Sequence, residues 1–174
     1  EVIDIKEASQ AKSLFESISM GALDGGRVAL IVAAMLVAYV GLMALIDAGF
    51  QAAMGITFTE ILGYVFAPIA WLMGVPASEI LIAGQTMGMK LATNEFVAML
   101  QFRDQIPNLS EKTVAVVSVF LISFANFSSI GIVSGSLQAI NGEKASVISK
   151  HGLKLLVAAT MVSFLTATLV GIFI

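Results

Sequence analysis

Apolar and polar residues are spread unevenly along this chain, and the unevenness outlines helices. Residues 1–27 mix the two kinds. Val2, Ile3, Ile5, Ala8, Leu14, Phe15 and Ile18 alternate with Glu1, Asp4, Lys6, Glu7, Lys12 and Glu16. That pattern predicts either an amphipathic helix on a membrane surface or a solvated loop with a short helix. From Val28 to Ile46 no residue is charged, and Arg27 and Asp47 mark the two ends. At about 1.5 Å rise per residue, such a run nearly matches a hydrocarbon core of ~30 Å. It predicts a simple transmembrane helix, with residues 28–56 forming that helix and its connection.

Residues 57–75 carry a helix start and then an apolar run. Thr57 or Thr59 can cap the start, and Glu60 suits the first turn. Pro68 predicts a kink or break. Tyr64 and Trp71 suit the headgroup level, so an interfacial helix fits better than a clean span. Residues 76–105 read differently. Pro76 opens them, Glu79 is expected in the first helical turn, and Lys90, Asn94 and Glu95 interrupt an otherwise largely apolar segment. Neither arm around that polar middle is long enough to span. The pattern predicts a re-entrant helical hairpin, with Gly84 and Gly88 allowing close packing.

Residues 106–174 complete the pattern. Thr113 to Ile140 carry no formal charge, yet Asn126, Ser128 and Ser129 sit in the middle of the run, with Gly131, Gly135 and Ser136 after them. Polar residues and glycines at bilayer depth predict a discontinuous helix, because unwound backbone is tolerated there only when it is buried in protein or lines a cavity. Leu155 to Ile174 are long enough to span alone. The expected fold class is an all-α integral membrane protein: transmembrane helices, an interfacial helix, a re-entrant helical hairpin and a discontinuous helix. Such a set would be half of an inverted-repeat transporter, so the chain, which starts with Glu1 rather than Met, is expected to be a piece of a longer protein.

Composition agrees. Of 174 residues, 58% are hydrophobic and 12% charged, against about 45–50% and about 25% in soluble domains. Net charge of −3 leaves no basic footprint for nucleic acid. The absence of Cys excludes a disulfide framework or thiol-ligated metal. No phosphate loop, metal-ligand spacing or nucleophile elbow is present, so the chain is not expected to be an enzyme. Lys6, Lys12 and Arg27 precede the first span, and Lys144, Lys150 and Lys154 precede the last. Both clusters are expected on the cytoplasmic side. His151 lies beside the second cluster and suits a solvated or interfacial place.

Glu95 is the foremost candidate for chemistry. A carboxylate inside a membrane segment costs about 2.5–3.5 kcal/mol on insertion scales, so it usually faces an internal cavity and has a partner. It could bind a ligand, form an internal salt bridge with Lys90, or both. Asn126, Ser128 and Ser129 supply uncharged donors and acceptors suited to a hydroxyl-rich or amide-rich solute. Helix–helix hydrogen bonding is the plainer alternative for such residues. Phe124 and Phe127 flank them and could stack on a planar ring.

The segment Gly88-x-Lys90-x-x-x-Asn94-Glu95-Phe96-Val97-Ala98-Met99 resembles the hallmark of concentrative nucleoside transporters, the bacterial nucleoside permeases included. Phe124-Ala125-Asn126-Phe127-Ser128-Ser129-Ile130 resembles their broken-helix motif. The resemblance covers essentially the whole chain, as the C-terminal half of a transporter. It implies a homotrimer in the bacterial plasma (inner) membrane that takes up nucleosides by elevator-like alternating access. It also implies that residues 28–49 belong to a trimer scaffold and the hairpin, broken helix and last span to a moving transport domain. By motif position Glu95 would bind the ribose hydroxyls, Asn126 and Ser129 would share the ribose, Phe124 would line the pocket, and Lys90 and Asn94 would support the hairpin. A sodium ion or proton would be the coupling ion of the full-length protein. In such transporters the base subsite and the ion site lie on the first hairpin and first broken helix, so no cofactor or ion ligand is expected here. The competing expectations are a structural or oligomerisation domain of the membrane, or a secondary transporter for another polar solute.

Overall fold

The computed structural model describes residues 13–140 and 142–174. Residues 1–12 of the expected amphipathic segment therefore lie outside it. Every regular element among the described residues is helical: α1 (Leu14–Met54), α2 (Phe58–Leu72), α3 (Ile80–Ala92), α4 (Glu95–Arg103), a short 3-10 turn (Ile106–Asn108), α5 (Glu111–Ile122), α6 (Phe127–Ile140) and α7 (Gly142–Phe173). The segments Leu14–Met54, Glu111–Ser134 and Lys150–Phe173 are long and apolar enough to cross a membrane. The chain divides into two compact units, residues 1–37 and 38–174.

In the first unit the described residues are helical from Leu14 onward. The helix passes through Arg27 without interruption, so that charge does not mark a helix start. Leu14, Phe15, Ile18, Leu23 and Leu30 are all exposed. A helix so apolar and so uncovered suits lipid or another protein surface, not water.

The second unit holds the packed core. Its first contact comes from Asp47, whose carboxylate accepts from the backbone N–H of Thr59 (3.0 Å) and from its hydroxyl (2.8 Å). Two residues earlier Thr57 forms a capping box with Glu60: the hydroxyl accepts from Glu60 N–H, and the Glu60 carboxylate accepts from Thr57 N–H at 2.8 Å. The start of α2 is thus held by both devices. The break expected at Pro68 does not occur. Pro68 lies inside α2, on an exposed side, and a membrane helix can carry the lost backbone bond where neighbours re-satisfy the freed group.

Helices α2 and α3 pack with almost no space between backbones. A Cβ on Gly84 would lie 2.5 Å from the carbonyl oxygen of Gly63 and 2.9 Å from the nitrogen of Ala67. A Cβ on Gly88 would strike Leu62. The hairpin glycines therefore serve contact with α2, not contact between the two hairpin arms. Glu79 also differs from expectation. It makes no side-chain cap at the start of α3. Instead its carboxylate accepts from the backbone N–H (3.1 Å) and hydroxyl (2.8 Å) of Ser110. Ser110 in turn caps α5, so the base of the hairpin is tied to the start of the discontinuous helix.

Candidate functional site: two facing helix breaks

The first break is the hairpin tip. Helix α3 ends at Ala92 and α4 starts at Glu95, with Thr93 and Asn94 between them. Thr93 turns its hydroxyl back onto the Met89 carbonyl at 2.7 Å. Asn94 is fully extended and caps α4, its Oδ1 accepting from Val97 N–H at 2.9 Å. Lys90 is in the last turn of α3 and Glu95 in the first turn of α4. Each charge complements its own helix end.

The second break interrupts the discontinuous helix. Helix α5 ends at Ile122, and α6 starts at Phe127. Ser123 is already extended, with ψ of 148°. Asn126 is almost wholly buried, and its Oδ1 accepts at 2.8 Å from each of three donors: the hydroxyl of Ser128 and the backbone N–H and hydroxyl of Ser129. The Ser129 N–H contact is the capping bond of α6.

The two breaks meet through side chains. Asn126 Nδ2 donates to Glu95 Oε2 at 2.6 Å. Lys90 Nζ donates to the Phe120 carbonyl at 2.7 Å and to the Ser123 hydroxyl at 2.6 Å. It also lies 4.1 Å from the Phe120 ring centroid. The ion pairs among the described residues are Arg27–Asp24 and Arg103–Asp104. The Lys90–Glu95 bridge held open by the sequence is not formed, because the turn at Thr93–Asn94 sends the two charges to different partners.

The remaining predicted residues fall as follows. Phe124, Asn126 and Ser129 line a cavity of about 140 Å³ together with residues of α6 and α7. Phe124 is 60% exposed, so its ring is available to a solute. Phe127 does not join it. It lines a separate apolar cavity of about 420 Å³ with residues of α2, α3 and α7. The smaller cavity is well under the roughly 300 Å³ at which drug-sized ligand pockets begin. By itself it is too small to enclose a drug-sized solute.

Sequence reasoning missed Ser123, Ser163 and Thr93. Ser163 is buried in the last span, and its hydroxyl lies 2.5 Å from that of Ser123. A hydroxyl in the middle of an apolar span was the available signal, but its partner is 40 residues away.

A hairpin and a discontinuous helix, cross-linked by a carboxylate–amide pair and a buried lysine, resemble the discontinuous helices of transporter folds. Known proteins similar to this chain show its family. Residues 1–171 match the family described as Na+ dependent nucleoside transporter C-terminus, and the chain belongs to it. It is 39% identical to the purine nucleoside transport protein NupG of Bacillus subtilis, covering 100% of this chain and 44% of that protein. It is 41% identical to the putative nucleoside permease NupX of Escherichia coli, covering 94% of this chain and 41% of that protein. Among solved structures, CNTnw in an inward-facing substrate-bound state is 33% identical, with a TM-score of 0.85 over 95% of this chain and 42% of that one. An intermediate state of a CNTnw variant gives a TM-score of 0.87 over 99% and 44%, again at 33% identity. The chain thus spans less than half the length of these relatives. It is a nucleoside transporter C-terminal domain, a membrane protein and not an enzyme.

Proposed function

We propose that this domain supplies the sugar-binding wall of a cation-coupled nucleoside transporter, with Glu95 as the central ligand. The observation that carries the reading is the 2.6 Å bond from Asn126 Nδ2 to Glu95 Oε2. It ties a carboxylate on one break to an amide on the other and fixes which way each group faces. Asn126 Oδ1 already takes three donors. The amide can therefore offer a solute only its second N–H, while the hydroxyl of Ser129 has given its proton to Asn126 and can only accept. Glu95 Oε1 has no protein donor among the described residues and can accept as well. The wall calls for a solute that donates more than it accepts. Vicinal hydroxyls can give two protons there and still accept the one N–H, and bonds from a hydroxyl to a carboxylate are among the stronger kind. Phe124 would lie against the ring system, and Lys90 and Asn94 support the hairpin.

In the full-length protein, a homotrimer in a bacterial inner membrane, sodium or a proton drives uptake. The hairpin, broken helix and last span move as an elevator past a scaffold that includes residues 28–49. The direct test is uptake by the full-length protein in lipid vesicles. Glu95→Gln and Asn126→Ala should each lower ribonucleoside uptake by on the order of 10²-fold or more, since a polar site with an unpaired group rejects its ligand strongly. A 2′,3′-di-O-methyl nucleoside should fail as a competitor. Ordinary uptake by both variants would remove the assignment.

A further inference from the structure

Lys90 is the most buried charge among the described residues, with 0% of its surface exposed, and no carboxylate lies within ion-pair distance. A buried ammonium left like this is costly unless other groups satisfy it. Lys90 donates to the Phe120 carbonyl and to the Ser123 hydroxyl, and its nitrogen lies 4.1 Å from the Phe120 ring centroid. A carbonyl oxygen, a hydroxyl oxygen and a ring face are groups that favour the charged form of an amine.

The direction of the hydrogen bonds follows. Lysine only donates, so Ser123 accepts from it and passes its own proton to Ser163, 2.5 Å away. Ser163 in turn donates to the Ala159 carbonyl at 2.9 Å. The chain runs one way, from the ammonium on α3 across the end of α5 to the backbone of α7. It begins where α5 stops. Phe120 belongs to the last turn of α5, whose carbonyls have lost their helical partners and carry the negative end of the helix dipole. Unwound carbonyls at half-helix C-termini are also where transporters bind coupling cations.

We propose that Lys90 is the resident cation of the α5–α6 break. Its ammonium occupies a monovalent-cation position at the carbonyl end of α5, and so holds the break open and still for Asn126 and Glu95. It is a positioning residue: it reaches the solute only through the geometry of the break. This role goes beyond hairpin support and does not depend on which solute Glu95 binds, because unfolding without solute reports it.

Lys90→Ala in the full-length protein removes three methylenes and the ammonium. The purified variant should melt at a lower temperature, and its nucleoside affinity should fall about tenfold or more, the range for lost bonds to a charged group. Propylammonium replaces what was removed and should restore both, saturably. 1-Propanol, of similar size but without charge, should restore neither. Lys90→Met, which keeps the stem, should remain impaired. Rescue by propanol, or a Lys90→Met variant equal to the parent, would overturn the proposal and leave only packing. Should Lys90→Ala fail to fold with or without the amine, Ser123→Ala decides. A several-fold loss of affinity supports the chain of bonds, and no change overturns it.

Discussion

The two breaks leave the helical state by different means. The hairpin tip is self-sufficient: Thr93 satisfies a carbonyl of the helix behind it, and Asn94 caps the helix ahead. The break between α5 and α6 is half dependent. Asn126 caps α6 from within, but the carbonyl end of α5 is closed by Lys90, from another element. The tip also sends both of its flanking charges across: Lys90 to one side of the second break and Glu95 to the other. Polar groups at bilayer depth need partners. Here one break finds them locally, while the other borrows them and so becomes sensitive to where the hairpin sits. Changes at the hairpin charges should therefore be felt at the second break more than at the tip.

The largest effect should come from Asn126→Asp. The new carboxylate can still cap α6, so folding should survive. Its second oxygen, however, replaces the amide that donates to Glu95 at 2.6 Å. At neutral pH both groups are then acceptors with no donor between them, and their like charges repel. Nucleoside binding should drop steeply at neutral pH, by on the order of 10²-fold for a site left without its donor. It should recover as the pH falls, because a protonated carboxyl can donate where the amide did. Binding measured across pH checks this. A loss that is flat with pH would mean that Asn126 matters only as a cap, and the link between the breaks would be lost.

Much of this arrangement was legible in the sequence, and the misreadings share a cause. The hairpin, the discontinuous helix and the residues Glu95, Asn126 and Ser129 could be read because charge and amide at bilayer depth stand out against apolar neighbours. What could not be read was pairing. Lys90 and Glu95 are five residues apart, yet Lys90 bonds to Ser123, 33 residues away, and Glu95 to Asn126, 31 residues away. Sequence distance suggested a bridge that is not formed. Glu79 suited the first turn of α3 by local rule, and tertiary contact took its carboxylate to Ser110 instead. Pro68 should break a helix by local rule, and α2 runs through it. Local chemistry marks where a helix can stop, and long-range contacts decide whether it does.

A middle-sized effect should come from Gly84→Ala, which leaves both breaks untouched. The added Cβ would lie 2.5 Å from a backbone oxygen of α2, which cannot swing aside as a side chain could. Overpacking of this kind costs about 1–3 kcal/mol. Thermal unfolding of the full-length protein should shift down while nucleoside affinity of the folded fraction stays within about twofold, a change of roughly 0.4 kcal/mol (RT ln 2) against the 1.4 kcal/mol that marks a tenfold one. A larger change in affinity would mean that α2–α3 packing sets the position of the hairpin charges, and that the hairpin tip is less independent than its hydrogen bonds imply.

The smallest effect tests the self-sufficiency of the tip. The Asn94 side chain holds α4 through one bond, Oδ1 accepting from Val97 N–H at 2.9 Å. Asn94→Ser keeps a capping oxygen, whereas Asn94→Ala removes it at a cost of about 1 kcal/mol. If the tip is closed locally, Asn94→Ser should unfold at nearly the parental temperature and Asn94→Ala a few degrees lower. Neither should disturb the Lys90–Ser123 contact, because Lys90 is anchored on α3, before the turn. Repeating both in the Lys90→Ala background makes this measurable. A local cap predicts additive shifts, since sites without shared partners add to within about 0.5 kcal/mol. A coupling well above that would place Asn94 and Lys90 in one unit, and the two breaks would then be one structure opened and closed together.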